Sequence, residues 1–218
     1  MTVAILPIKN FDSAKSRLTT ELSPGFRRAL VEAMVSDTLV ALRRSTEITR
    51  ILVVTSDNLA QQIAGGHGAE ILDDTGASHS EAAMIGIRHA TEDRAERVIL
   101  VPGDCPLLDP KELDALLMTD YGNRSAIIVP DRHGSGTNAL LLRPPSALTP
   151  AFGPDSRARH VELAEHQGTK AQVVEIPSLA LDIDTPDDLE TLNTTIATTR
   201  GGAANTRGML KQLAHSLS

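Results

Sequence analysis

The sequence predicts an α/β fold: a doubly wound, mostly parallel sheet with an antiparallel insertion in its second half. Three observations carry this expectation. Short, almost fully apolar runs of strand length recur at residues 3–8, 51–54, 69–72 and 97–101, as expected of strands buried on both faces. Helical spacing alternates with them, which implies crossover connections. Two further strand-like runs, 125–130 and 139–142, are separated only by a hairpin-length, glycine-rich connection.

The elements follow in order. Residues 3–8 form the first strand, and a polar loop runs from Lys9 to Arg17. A helix begins at Ser23-Pro24, where Ser23 caps and Pro24 occupies the first turn, with Leu30, Met34, Leu39 and Leu42 on its apolar face. The strand at 51–54 ends in Thr55-Ser56-Asp57, where Asp57 is read as a cap, and a short helix at 60–64 stops at Gly65-Gly66. After the strand at 69–72 and the loop 73–76, residues 80–90 are helical, with Ala83, Ile87 and Ala90 on one side. The strand at 97–101 leads into a helix at 110–118. A helix at 157–167, a late strand at 171–176 and a final helix capped by Thr185 with Pro186 in first position complete the domain. The domain is assigned to residues 1–197, and 198–218 to a small, polar linker and a short tail. Residues 209–213 read as a short terminal helix or as a segment docking on a partner subunit.

Composition bounds the function. The chain of 218 residues is 41% hydrophobic but has no Trp, one Tyr and three Phe, so its core is built from Leu, Ile, Val and Ala. A net charge of −7 argues against a nucleic-acid binder, and an anionic substrate would need local Lys, Arg and metal. The single cysteine, Cys105, excludes an intramolecular disulfide and a cysteine-cluster zinc site. No run approaches about 18 apolar residues, and no basic leader precedes the first strand, so a cytoplasmic protein with no membrane association is expected.

The chain is organised around Gly103-Asp104-Cys105-Pro106, an aspartate at a strand's carboxyl end, where open α/β sheets bind ligands. Its alternative is a surface turn followed by a capping Asp109. Three cations, Lys9, Lys15 and Arg17, follow the first strand within nine residues and suit a triphosphate. Neither a P-loop nor a dinucleotide fingerprint is present. Asp182 and Asp184, two apart in an extended segment, point the same way and with Asp104 suit Mg²⁺, a hard cation that prefers oxygen. Asp187 and Asp188 are read as acidic residues at a helix N-terminus. The loops 134–138 and 152–157 offer backbone N–H groups, hydroxyls and a helix start for carboxylate or phosphate. His79, His89, His160 and His166 lack a metal-ligand pattern and are read as surface polar groups; Cys105 is read as packing.

Together these motifs resemble a known family. Leu-Pro-Ile-Lys followed by Ala-Lys-Ser-Arg-Leu, then Gly-Asp-Cys-Pro-Leu-Leu, Gly-Ser-Gly-Thr-Asn-Ala-Leu, Phe-Gly-Pro-Asp-Ser and Leu-Asp-Ile-Asp-Thr-Pro-Asp-Asp-Leu occur in that order across about residues 3–192. They are similar to the 2-phospho-L-lactate guanylyltransferase family (CofC, called FbiD in actinobacteria). The resemblance implies condensation of GTP with phosphoenolpyruvate, 3-phosphoglycerate or 2-phospho-L-lactate, releasing pyrophosphate, on the route to coenzyme F420. It favours the first two acids, which bacterial members largely use. Carried over by position, it implies that Lys9, Lys15, Arg17 and Asp104 meet GTP and act in catalysis. Asp104, Asp182 and Asp184 would hold Mg²⁺, while Thr137, Gly153 and Ser156 would bind the phospho-acid. The resemblance and the tail together suggest a homodimer. The stretch Ser78-His79-Ser80-Glu81-Ala82-Ala83-Met84-Ile85-Gly86 departs from the family's Leu-Asn-x-Ala-Leu-like helix start, where the nucleotide is met. The alternatives are another nucleotidyltransferase of this fold, acting on a molybdopterin or sugar phosphate, and a non-catalytic nucleotide binder.

Overall fold

The computed structural model describes residues 1–11, 14–199 and 201–216. Asp12 and Ser13, within the cationic stretch, lie outside the described residues, as do Arg200 and the last two positions of the tail.

Among the described residues, seven strands form one sheet. β1 (Thr2–Pro7), β2 (Arg50–Val54), β3 (Glu70–Leu72) and β4 (Arg97–Leu100) are followed by β5 (Ser125–Pro130), β6 (Thr137–Arg143) and β7 (Lys170–Val173). Their order is β3-β2-β1-β4-β6-β5-β7. All neighbours run parallel except β6, which is antiparallel to both β4 and β5, so the antiparallel insertion is this one reversed strand. The helices are α1 (Pro24–Arg44), α2 (Asn58–Gly66), α3 (His79–Glu92), α4 (Pro110–Met118), α5 (Ser156–His166), α6 (Pro186–Thr198) and α7 (Ala204–Ser216).

Strand alternation distributes them over two faces. Ala4, Leu6, Val53 and Ile99 pack with Leu30, Met34, Leu39 and Leu42 of α1 and with buried residues of α2, α4, α6 and α7. Val3, Ile5, Leu52 and Val54 pack with Ala83, Ile87 and Ala90 of α3 and with α5. Small residues set the spacing on the second face. A Cβ on Gly86 would come within 2.5 Å of Ile5 Cγ2, so only glycine lets α3 approach β1 this closely.

The caps behave as their chemistry dictates. Ser23, Asp57 and Asp109 each accept a backbone N–H at the start of α1, α2 and α4. Thr185 and Asp188 form a capping box on α6. α2 runs through Gly65 and Gly66 rather than stopping before them, because its end is closed by the N–H of His67 bonding back to Ile63 and Ala64. The last segment folds back as α7 and packs on α1. Buried Asp37 accepts the N–H groups of Asn205 (3.0 Å) and Thr206 (2.7 Å) and so caps α7 from a distance. Among the described residues, no helix is long and apolar enough to cross a membrane.

The sheet also fixes where chemistry gathers. Strand order reverses direction between β1 and β4, and their carboxyl ends open a crevice at that switch point. Because β6 runs the other way, its first residues, Thr137 and Asn138, arrive at the same edge.

Candidate active site

β1 delivers Lys9 to the crevice. Its ammonium donates to Asp74 Oδ2 at 2.6 Å and to the Gly76 carbonyl at 3.1 Å, tying the loop after β1 to the loop after β3. The chain then turns back, held by the Phe11 N–H on Asp57 Oδ2 at 3.0 Å. Lys15 takes a left-handed backbone conformation (φ 56°) just before a tight 3₁₀ turn, Ser16–Leu18, pinned by buried Leu18. This conformation turns the Lys15 side chain inward, where it is only 7% exposed.

There Lys15 donates to Asp104 Oδ2 and to Asp184 Oδ1, the latter at 2.8 Å. Burial alone would pull the ammonium toward neutrality, but the charges of Asp104 and Asp184 outweigh it, and its pKa is raised. Arg17 lies exposed on the following turn, outside this cluster.

Asp104 follows β4 on a backbone that passes close to α1. A Cβ at Gly103 would press on Val35 Cγ2 at 3.0 Å, and the Thr38 hydroxyl donates to the carbonyl of Cys105 at 3.4 Å. Among the described residues, Asp104 Oδ1 is buried without a hydrogen-bond partner. Asp182 is the third carboxylate; its Oδ1 accepts from Asn138 Nδ2 at 3.1 Å. Burial, and then the charge of Asp104, push its carboxyl up to about 6, against the pull of the Asn138 hydrogen bond. Asp184 is half exposed, and its N–H is held by Asp188 at 3.1 Å.

The oxygen-only donor set and the orphaned Asp104 Oδ1 suit a hard divalent cation. Among the described residues, however, no three Asp, Glu, His or Cys side chains already converge as an ion cage. The Lys15 ammonium lies between two of the three carboxylates, so a cation would share them with it or displace it.

Across the crevice, Thr137 Oγ1 lies 3.0 Å from His160 Nδ1, while His160 Nε2 accepts the Ala151 N–H at 2.9 Å. An accepting Nε2 places the imidazole proton on Nδ1, so Thr137 accepts from His160 and keeps its own hydroxyl proton for another partner. His160 is fully buried, which corrects its reading as a surface group, and burial followed by the Arg159 charge lowers its pKa to about 4. Gly153 has φ 115°, a conformation open to glycine, and its carbonyl accepts the N–H of buried Ser156 at 3.1 Å. The Arg157 N–H bonds the Ser135 carbonyl at 3.1 Å, joining the two glycine-rich loops. Cys105 is buried packing, its thiol raised by burial.

Lys9, Lys15 and Asp104, with His79, line a cavity of about 200 Å³ whose other walls include Ile8, Phe11 and Val35. A second, much smaller cavity of about 20 Å³ lies between His79, Thr137, Asn138 and Phe152. His79, read from sequence as a surface polar group, therefore borders both. Its only sequence signal was its place in the stretch that departs from the family's helix start.

A crevice at the switch point of a doubly wound sheet, with cations and carboxylates brought together from separate loops, is the frame of a nucleotidyltransferase. Solved structures share the fold. A putative nucleotide-diphospho-sugar transferase from Desulfovibrio desulfuricans superposes with a TM-score of 0.77 at 16% identity, over 99% of this chain and 97% of that one. A cytidylyltransferase from Leptospira borgpetersenii gives 0.62 at 18% identity, covering 99% and 95%. The sequence is more particular. Residues 2–218 match the family described as guanylyl transferase CofC like, and the chain belongs to that family of guanylyltransferase enzymes. A phosphoenolpyruvate guanylyltransferase from Conexibacter woesei is 54% identical over 214 residues, 97% of this chain and 96% of the relative. A 3-phospho-D-glycerate guanylyltransferase from Colwellia psychrerythraea is 35% identical, covering 88% and 90%. A 2-phospho-L-lactate guanylyltransferase from Methanothermobacter thermautotrophicus is 34% identical, covering 86% and 82%.

Proposed function

We propose that this guanylyltransferase joins GTP to phosphoenolpyruvate, forming a guanylylated enolpyruvyl diphosphate and pyrophosphate for the assembly of coenzyme F420. The choice of acid follows the relative from Conexibacter woesei, the most similar of the three compared. The observation that carries the chemistry is the buried Lys15 ammonium between Asp104 and Asp184 at the switch-point crevice.

One oxygen of the acid's phosphate attacks the α-phosphorus of GTP. The new P–O–P bond forms as the bond from the α-phosphorus to the α,β-bridging oxygen breaks, and that electron pair leaves with pyrophosphate. A phosphate is already anionic at neutral pH, so no general base is required, in keeping with a crevice whose two histidines act as a buried anchor (His160) and a wall (His79). Lys15 and Lys9 neutralise charge on the triphosphate and keep it oriented. Arg17 reaches the same phosphates from the outer turn. The Thr137 hydroxyl proton, freed by His160, donates to the acid, and the Gly153 loop and Ser156 at the start of α5 complete that subsite. Asp104, Asp182 and Asp184 are the residues to hold Mg²⁺, which when bound supplies positive charge at the α-phosphate.

The test is pyrophosphate release with each of the four ribonucleoside triphosphates crossed with the three acids. GTP with phosphoenolpyruvate should give the highest kcat/KM. A larger value with 3-phosphoglycerate or 2-phospho-L-lactate reassigns the acid, and no release with any pair overturns the enzymatic reading.

A further inference from the structure

Among the described residues, His79 is the polar side chain common to the two cavities at the crevice. On one side it faces the space lined by Lys9, Lys15 and Asp104; on the other, the small gap bounded by Thr137, Asn138 and Phe152. Its place is fixed from behind. It is the first residue of α3, whose start is closed by the Ser78–Glu81 capping box and whose Gly86 seats the helix on Ile5. The next residue, Ser80, accepts the Phe152 N–H at 2.9 Å, which locks α3 to the loop carrying Gly153. The imidazole meets the Phe152 ring edge-on, with centroids 5.2 Å apart. Among the described residues, neither ring nitrogen of His79 has a hydrogen-bond partner, whereas Lys9, Lys15 and Thr137 at the same cavities are each engaged. An imidazole oriented by packing, with free nitrogens facing a crevice, is arranged to bind a ligand.

We propose that His79 is a substrate-binding residue that donates a ring N–H to the phosphate of the phospho-acid, at the junction between the nucleotide and acid subsites. This rests on the proposed guanylyl transfer. The acid's phosphate is the one group that must lie between the triphosphate, near Lys15 and Asp104, and the acid's own subsite, near Thr137 and Gly153. His79 spans that gap. Its contact with Phe152 places it on the acid's side of the junction, so its loss acts on the acid and spares GTP.

The experiment compares wild type with His79→Phe, His79→Asn and His79→Gln, each checked for folding by circular dichroism, by initial rates of pyrophosphate release with GTP and phosphoenolpyruvate varied separately. Phe keeps the ring against Phe152 and removes the donor; the amides keep a donor and remove the ring. His79→Phe should raise KM for phosphoenolpyruvate roughly 10- to 100-fold, as expected for a lost hydrogen bond to a charged group, with KM for GTP changed less than about twofold. At least one amide variant should restore most of that affinity. The opposite order, with Phe benign and both amides impaired, would show that His79 only packs, and an equal rise in both KM values would assign it to the nucleotide. Either result overturns the inference while leaving the guanylyl-transfer reading intact. A wild-type protein that releases no pyrophosphate with any acid overturns both.

Discussion

Lys15 and Asp184 stand 169 positions apart in sequence and 2.8 Å apart in space. Their meeting joins the loop after the first strand to the segment before α6, and with Asp104 from the middle of the chain it closes the crevice on three sides. The pair is local in neither sequence nor element. It exists because β1 and β4 are neighbours with parallel direction, and because Asn138 on reversed β6 holds the segment that carries Asp182 and Asp184 beside them.

Removing the cation and removing the carboxylate should have different structural costs and the same functional one. Asp104→Asn keeps an oxygen for Lys15 and should leave the melting temperature within a few degrees of wild type. Lys15→Met leaves Asp104 and partly buried Asp182 facing each other without a counter-charge and should lower it. Both should reduce kcat at least about 100-fold, the scale seen when a preorganised charge is removed from a transition state. Pyrophosphate assays and thermal melts on the two variants measure this, and near-normal turnover in either removes that residue from the site.

Acid sensitivity should trace to His160. Its folded pKa, about 4, lies below its unfolded value of 6.5, so the unfolded chain binds the extra proton between them. Its contribution is therefore complete above about pH 6.5 and is lost as pH falls towards 4. Between pH 7 and pH 5 this amounts to about 2 kcal/mol. Asp182, whose carboxyl is raised to about 6, acts in the opposite sense over part of the same window. Urea unfolding of wild type against His160→Gln isolates the histidine: the stability gap should narrow on acidification. A pH-independent gap would mean that His160 titrates normally.

The C-terminal helix should depend on one carboxylate. Asp37 is 5% exposed and accepts from Asn205 N–H, Asn205 Nδ2 and Thr206 N–H. Asp37→Ala leaves the first amides of α7 without this acceptor and should destabilise the fold by about 1–3 kcal/mol. Limited proteolysis should then cut within residues 204–216 earlier than in wild type. Unchanged cleavage would mean that the apolar contact of Leu210 with the core holds α7 alone.

Much of the scaffold was readable because its signals are local. The apolar runs that became β1, β2 and β4, and the caps Ser23 and Thr185, each act within a few residues of themselves. What escaped depends on partners far away in the chain. The loop at 73–76 was visible, but nothing in it announces that Asp74 anchors Lys9. His160 and His79 gave no local pattern. One is buried because Thr137 and the Ala151 N–H meet it across the second face of the sheet, and the other borders the crevice because Gly86 lets α3 lie close to β1. Residues 198–206 read as a linker because their composition is small and polar, yet α7 begins among them at Ala204, where Asp37 of α1 caps it and α1 packs along it.

In the proposed reaction, the phosphate of phosphoenolpyruvate attacks the α-phosphorus of GTP directly. Phosphoenolpyruvate carrying ¹⁸O in its non-bridging phosphate oxygens, incubated with GTP and the enzyme and followed by mass spectrometry, tests it. All of the label should appear in the guanylylated product and none in pyrophosphate. Label in pyrophosphate, or release of pyrophosphate without a guanylylated acid, would contradict it.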